Sequence, residues 1–181
     1  AFVWLASPLL LGAILSAAVC HELGHWLVLR RVGGQIQRLH ITVFGAEMQV
    51  DDRRISYGGE LLTAAAGPVS NLLLAAAMGL LGRWWEPMYL FAGAQLVLEA
   101  FNLLPALPLD GGRILWLALA WLTEPYTAQR VLSAVSLAVS LALLLGGGWF
   151  IWRLGGSPFL LVGAVGLTGW NLREIKLAKG G

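Results

Sequence analysis

Long apolar runs limit what this chain can fold into more strictly than any other feature of its sequence. Several runs reach about 18 residues or more, the length that a helix needs to cross the hydrocarbon core of a bilayer. Charged residues make up only 12% of the 181 residues, which is about half the fraction usual in soluble proteins. Backbone polar groups inside a bilayer must pair within the protein, and helices achieve this. The sequence therefore predicts an all-α polytopic membrane protein that carries out its function in the lipid bilayer.

About five transmembrane helices and one short half-helix are predicted, all within a single domain over residues 1–181. Ser7-Pro8 and Ser157-Pro158 are helix-start signals, with Ser as the N-cap and Pro as the first helical residue. The first of the last two helices is predicted to break at the glycines of 146–148. The predicted segments are a helix at 8–31, a hairpin loop at 33–59, a helix at 60–82, a helix with a proline-rich turn and half-helix at 87–122, and two helices at 127–177.

The loop between the first two helices is polar and mixed in character. Leu39, Ile41 and Val43 alternate with polar neighbours, as do Met48 and Val50, and alternation of this kind is typical of a half-buried strand. The sequence therefore predicts a small β-hairpin at the membrane edge between the first two helices.

Basic residues predict how the helices are oriented in the membrane. If the hairpin loop lies in the cytoplasm, ten of the 12 basic residues fall on that side, and only Arg83 and Arg153 fall outside, as the positive-inside rule favours. The net charge of +2 is explained by this topology, so no nucleic-acid partner is predicted.

A short polar motif interrupts the first apolar helix. His21, Glu22 and His25 form the pattern H-E-x-x-H. On a helix, residues four apart lie on one face, so both imidazoles can bind one zinc ion, and Glu22 can take a proton from the water that the metal activates. The sequence therefore predicts a zinc site with a general base beside it.

A catalytic zinc site needs a third protein ligand, and the candidates are His40, Glu99 and Asp110. The predicted topology favours Asp110, because it follows the cytoplasmic end of the third helix, the same side as the end of the first helix. If the turn at Asn102 to Arg113 folds back into the bundle, Asp110 reaches the depth of the two histidines. His40 is interpreted as a surface residue of the hairpin, and Glu99 is left outside the site.

Three motifs together resemble a known family. HELGH at 21–25, AGPVSN at 66–71 and FNLLPALPLDGGR at 101–113 are similar to the site-2 protease family of intramembrane zinc metalloproteases, peptidase family M50. The hairpin and the form of the third motif look most similar to the branch that processes sporulation sigma factors. The resemblance covers about residues 8–122, and it lacks the family's first span, so we expect residues 1–6 to be the end of a truncated segment.

The resemblance implies a function and a set of residues. It implies Zn²⁺ as the cofactor, held by His21, His25 and Asp110, with Glu22 as the catalytic base. It implies that Asn102 lies near the scissile peptide, although a helix cap is an alternative for this residue. Asn71 matches a position near the site, with packing against the kink at Pro68 as the alternative.

The partners follow from the same resemblance. The expected substrate is a membrane-embedded or membrane-associated protein, which the hairpin would hold as an extended strand, and a regulatory membrane partner is compatible with it. The expected location is the inner membrane of a bacterium, with the active site toward the cytoplasm. Two other functions stay open: a catalytically silent zinc-bound scaffold and a metal transporter of similar fold. Transporters are often built from two repeated halves, and the sequence shows no such repeat, which counts against the transporter.

Overall fold

The computed structural model describes residues 7–42, 45–51, 55–154 and 163–171. It divides into two compact units, Ala1–Leu103 and Leu104–Gly181, and the prediction of a single domain stays a prediction. The first unit contains α1 (Pro8–Arg31), β1 (Gln35–Thr42), β2 (Gly45–Asp51), α2 (Tyr57–Leu81) and α3 (Pro87–Asn102). The second contains α4 (Asp110–Leu122), α5 (Pro125–Leu154) and the helical residues 163–171, which we call α6.

The number of transmembrane helices predicted from the sequence is wrong for the described part of the chain. Three helices there are long and apolar enough to cross a membrane: Pro8–Arg31, Tyr57–Leu81 and Pro125–Arg153. Helix α3 has 16 residues, which is about 24 Å at 1.5 Å per residue. It ends at Asn102 because the residue before a proline, here Leu104, disfavours the helical conformation. Helix α4 has 13 residues. The all-α polytopic class itself agrees with these helices.

The membrane-edge hairpin also needs correction as a component of the fold class. Strands β1 and β2 pair antiparallel, with Gln35 opposite Asp51 and Thr42 opposite Gly45, and the register shifts between Ile36 and Arg38. The described residues do not locate this pair at a membrane edge, and a two-stranded ribbon alone is only marginally stable in water. What the structure supports of the predicted fold class is therefore its all-α polytopic part, and the placement of the strand pair at a membrane edge is withdrawn.

Two helix boundaries differ by four residues or more from those predicted, and the other boundaries of α1 to α5 differ by at most three. Helix α5 continues through the glycines of 146–148 to Leu154; each glycine costs about 1 kcal/mol relative to alanine, but a broken helix in lipid would leave backbone groups unpaired. Helix α4 begins at Asp110 rather than at Ile114, because Gly111 and Gly112 are buried within its first turn. A Cβ atom on Gly112 would lie 2.6 Å from the carbonyl carbon of Ala106, so only glycine fits there.

Helices α1 and α2 of the first unit cross at small residues. A Cβ atom on Gly24 would lie 2.6 Å from Ser70 Oγ and 2.7 Å from the carbonyl oxygen of Ala66. The Ser70 hydroxyl lies 3.2 Å from the carbonyl oxygen of Cys20 as well as 2.7 Å from that of Gly67. This close approach brings the H-E-x-x-H face of α1 against the AGPVSN segment of α2.

The predicted bounds of α1 and the predicted N-cap at Ser7 are confirmed. Ser7 Oγ accepts a hydrogen bond from the Leu10 N–H.

In the second unit, buried hydroxyl groups hold the turn that precedes Asp110. The N–H of Leu107 donates to Ser136 Oγ on α5 at 2.7 Å. The Ser140 hydroxyl donates to the Ser136 carbonyl oxygen at 2.8 Å, and Asn171 on α6 donates to Ser140 Oγ at 3.1 Å. This chain of hydrogen bonds anchors the proline-rich turn to α5 and α6, and so fixes where α4 starts.

Candidate metal centre

His25 is held in one ring orientation by the backbone of α2. Its Nδ1 lies 2.7 Å from the carbonyl oxygen of Thr63. A carbonyl oxygen can only accept a hydrogen bond, so Nδ1 carries a proton, and in the neutral ring this tautomer leaves the lone pair on Nε2. A backbone carbonyl on the far nitrogen is a common partner of a metal-binding histidine, since it fixes both the tautomer and the ring.

His21 lies one turn before His25 and faces it. The two Nε2 atoms are 3.1 Å apart, and the rings meet edge to face, with centroids 4.8 Å apart and an angle of 81° between their planes. Two nitrogens bound to one tetrahedral zinc at about 2.0–2.1 Å would be roughly 3.3 Å apart. The pair therefore fits a shared zinc ion as two of its ligands. Without a metal, two imidazole nitrogens this close repel each other unless one of them carries a proton.

The sequence of α2 explains why His25 fits where it does. A Cβ atom on Gly67 would overlap the imidazole ring of His25, so glycine supplies the space that the ring occupies. Pro68 lies inside the helix and lacks the N–H that would pair with the carbonyl oxygen of Ala64, four residues earlier. The carbonyl oxygen of Thr63, in the same turn, is the one that His25 reaches. The predicted AGPVSN motif thus shapes the pocket of a candidate ligand.

Two amides lie on either side of His21. Asn71 Nδ2 is 3.4 Å from His21 Nδ1, and Asn102 Nδ2 is 3.3 Å from His21 Nε2. Asn102 is the last residue of α3, and its side chain points to the histidine pair, whereas Leu103 is the C-cap. Asn71 is fully buried. The structure thus brings together His21, His25, Asn71 and Asn102, all of which were predicted to lie near the site.

A buried carboxylate that the sequence prediction left aside lies beside the same ring. Glu99 is 1% exposed, and its Oε2 is 3.6 Å from His21 Nδ1. Gln95, one turn earlier on α3, is also fully buried. The signal in the sequence was a pair of polar residues four apart in an apolar helix, which places both on one face.

Glu22 and Asp110 occupy positions in different units. Glu22 follows His21 on α1 and is half-buried. Asp110 is the first residue of α4 in the second unit and is also half-buried. A negative charge at this position is stabilised by the dipole at the helix N-terminus. Imidazole nitrogens and a carboxylate oxygen are the donor set that catalytic zinc sites use, so the predicted ligands suit this metal chemically. The side chain of His40 lies outside the described residues.

Comparison with known proteins shows that this chain is similar to zinc metalloproteases and to a sporulation protein. The model of peptidase family M50 matches residues 80–146. A zinc metalloprotease of Methanocaldococcus jannaschii is 28% identical over 138 residues, which cover 72% of this chain and 40% of that protein. Stage IV sporulation protein FB of Bacillus subtilis is 28% identical over 163 residues, which cover 83% of this chain and 56% of that protein. The sporulation branch is therefore among the relatives.

A solved structure shares the fold. The site-2 protease from Methanocaldococcus jannaschii superposes with a TM-score of 0.72 at 23% identity, covering 92% of this chain and 77% of that chain. At this identity the likeness concerns the fold alone. The chain spans about half the length of the curated relatives it matches.

Proposed function

Because the chain belongs to peptidase family M50, we propose that it is an intramembrane zinc metalloprotease that hydrolyses a peptide bond of a membrane protein. One observation supports this most strongly. The Nε2 atoms of His21 and His25 face each other at 3.1 Å, and the other ring nitrogen of His25 is fixed on Thr63. Glu22, the acid of the same motif, lies between these two histidines in the sequence.

His21, His25 and Asp110 are the proposed zinc ligands. The tautomer of His25 supports its role, because its Nε2 is left to bind a metal. Asp110 adds a carboxylate, and its charge would offset part of the charge of a dication in apolar surroundings. With three protein ligands, the fourth position is left for the reaction, as in other catalytic zinc sites.

The proposed mechanism assigns the proton transfers to Glu22. Zinc, when bound, supplies Lewis acidity and lowers the pKa of water to about 7. The Glu22 carboxylate takes a proton from the attacking water, whose oxygen bonds to the peptide carbonyl carbon. It then returns that proton to the amine nitrogen as the carbon–nitrogen bond breaks. Water is consumed, and a carboxyl group and an amine are released, so the reaction balances.

Asn102 is proposed to stabilise the developing oxyanion. Its Nδ2 lies 3.3 Å from His21 Nε2, and an Nε2 that binds a metal cannot also accept a hydrogen bond. The amide would then be available to donate to the substrate carbonyl oxygen, where one such donor is worth roughly 100- to 1000-fold in rate. Asn71 approaches the opposite nitrogen of His21, which supports a role in orienting the ring rather than in binding substrate.

The proposed substrate is a protein that is embedded in or associated with the membrane. The apolar character of α1, α2 and α5 makes the chain a membrane protein, so a substrate in the same bilayer is the natural one. We propose the bacterial inner membrane, with the site toward the cytoplasm. Arg30 and Arg31 in the last turn of α1 support this orientation through the positive-inside rule.

The function is tested by a Glu22→Gln substitution. We expect cleavage of a co-expressed membrane substrate to fall roughly 100- to 10,000-fold, because the general base is lost, while zinc content stays unchanged because the ligands remain. The measurement is proteomics of membrane-protein fragments from cells that express the wild type or the variant. Glu86→Gln, at an exposed carboxylate that precedes α3, is the matched control and should cleave as the wild type does.

The alternative functions predict other outcomes, the scaffold in that experiment and the transporter in a zinc-flux assay. A zinc-bound scaffold would yield the same fragments with wild type and Glu22→Gln. A transporter would move zinc into liposomes, whereas the protease holds its zinc without flux. Equal fragment patterns in wild type and variant would count against the protease.

A further inference from the structure

Glu99 is a buried acid with one neighbour of consequence. Its side chain is 1% exposed, and neither carboxyl oxygen has a hydrogen-bond partner among the described residues. Burial of a carboxyl group without a partner is costly, and ionisable residues within a membrane bundle are rare and generally face other polar groups. The basic group that lies against this carboxyl group is His21, whose Nδ1 is 3.6 Å from Glu99 Oε2.

The chemistry of the His21 ring determines which hydrogen-bond partner its Nδ1 requires. If Nε2 binds the metal, Nδ1 carries the ring proton and requires an acceptor. Asn71 presents its amide nitrogen to Nδ1 at 3.4 Å, and an amide N–H is a donor. Asn71 Oδ1 could accept only after the amide rotates by half a turn, and this rotation would leave Glu99 buried beside His21 without any partner.

On the premise of the proposed function, we propose that Glu99 is a positioning residue for the metal ligand His21. Its carboxyl group accepts the hydrogen bond from His21 Nδ1 and so fixes the ring with Nε2 toward His25. A carboxyl group offers an acceptor oxygen in either protonation state, so this role does not depend on its charge. The 3.6 Å separation shortens by less than 1 Å to become a hydrogen bond of ordinary length.

The two histidines would then be held in different ways. His25 is held by a neutral backbone carbonyl, that of Thr63, whereas His21 is held by a side chain that a substitution can remove. Partners of this kind on metal-binding histidines typically change metal affinity by about 10- to 100-fold when they are lost. Glu99 lies against Nδ1 of His21, whereas Nε2 is the nitrogen that would bind the metal, so its substitution is expected to act on the metal through His21.

The experiment measures the zinc affinity of purified protein by competition with a chelator, together with the visible spectrum of the Co²⁺-substituted protein. We expect Glu99→Leu to weaken zinc binding about 10- to 100-fold and to change the cobalt bands. Glu99→Gln keeps an acceptor oxygen and should retain affinity within about tenfold. Gln95→Leu is the matched control: it removes a fully buried polar side chain one turn away on the same face of α3 and should bind zinc as the wild type does.

Each outcome decides the proposal. Wild-type affinity in Glu99→Leu overturns it, and so does an equal loss in Gln95→Leu, which would indicate general disturbance of α3. If Glu99→Leu does not fold, Glu99→Ala, which also lacks an acceptor oxygen, decides: weakened zinc binding with shifted cobalt bands supports the proposal, and wild-type affinity overturns it. A wild-type protein that binds zinc while Glu99→Leu binds equally well refutes this role alone, whereas a wild-type protein that binds no zinc refutes the proposed function as well.

Discussion

Asp110→Ala is expected to lose both zinc and cleavage. Structural zinc binding is worth about 10–16 kcal/mol over a full ligand set, so the loss of one ligand should weaken binding roughly 100- to 1000-fold. Cleavage should fall to the background, a larger effect than that of Glu22→Gln, because both the metal and the charge that offsets it are lost. Zinc content after dialysis and fragment yield from a co-expressed membrane substrate are the measurements.

Glu124→Ala is the matched control for Asp110→Ala. Glu124 is an exposed carboxylate just before the start of α5, so its removal also takes a negative charge from a helix N-terminus. That loss alone costs about 0.3–1 kcal/mol of stability and should leave zinc content unchanged. If Asp110→Ala retained one zinc per chain against the same chelator as the wild type, Asp110 would not be the third ligand.

Gly67→Ala is expected to disable the site from outside it. The added methyl group would overlap the imidazole ring of His25, and the ring could escape only by leaving the Thr63 carbonyl that fixes its tautomer. We expect zinc affinity to drop by about 10- to 100-fold, as when the partner of a ligand is lost, and cleavage to drop with it. Chelator competition and fragment yield measure the two effects.

Gly79→Ala provides the comparison for this substitution. Gly79 lies in the same helix α2, and a Cβ atom there would meet no described atom within 4 Å. Alanine should stabilise the helix by up to about 1 kcal/mol and leave the site intact. Equal zinc affinity in Gly67→Ala and Gly79→Ala would show that the His25 ring tolerates the methyl group, contrary to the geometry of the pocket.

The predictions that agree with the structure depend on interactions between residues that are close in the sequence. The bounds of α1 follow from the Ser7-Pro8 start and the two arginines at its end, and the facing of His21 and His25 follows from their spacing of four on a helix. These signals lie within a few residues of the structure that they determine. The AGPVSN motif was similarly readable, because its small residues indicate a close helix crossing.

The features that fail depend on packing or on the surrounding lipid. The glycines of 146–148 normally interrupt helices in water, but α5 continues through them, because unpaired backbone groups are more costly in lipid than glycine is. Likewise the start of α4 at Asp110 requires the fit of Gly112 against the Ala106 backbone. Glu99 was set aside because its partner, His21, lies on another helix, and no spacing in the sequence joins residues 78 positions apart.

X-ray absorption at the zinc edge of the purified protein tests the central claim most directly. The account predicts about one zinc per chain with only nitrogen and oxygen ligands at about 2.0–2.2 Å, and with the outer-shell scattering of two imidazole rings. Cys20 precedes His21 and is half-buried, so it is the obvious competing ligand. Sulfur scattering at about 2.3 Å, or a spectrum without two imidazoles, would contradict the account.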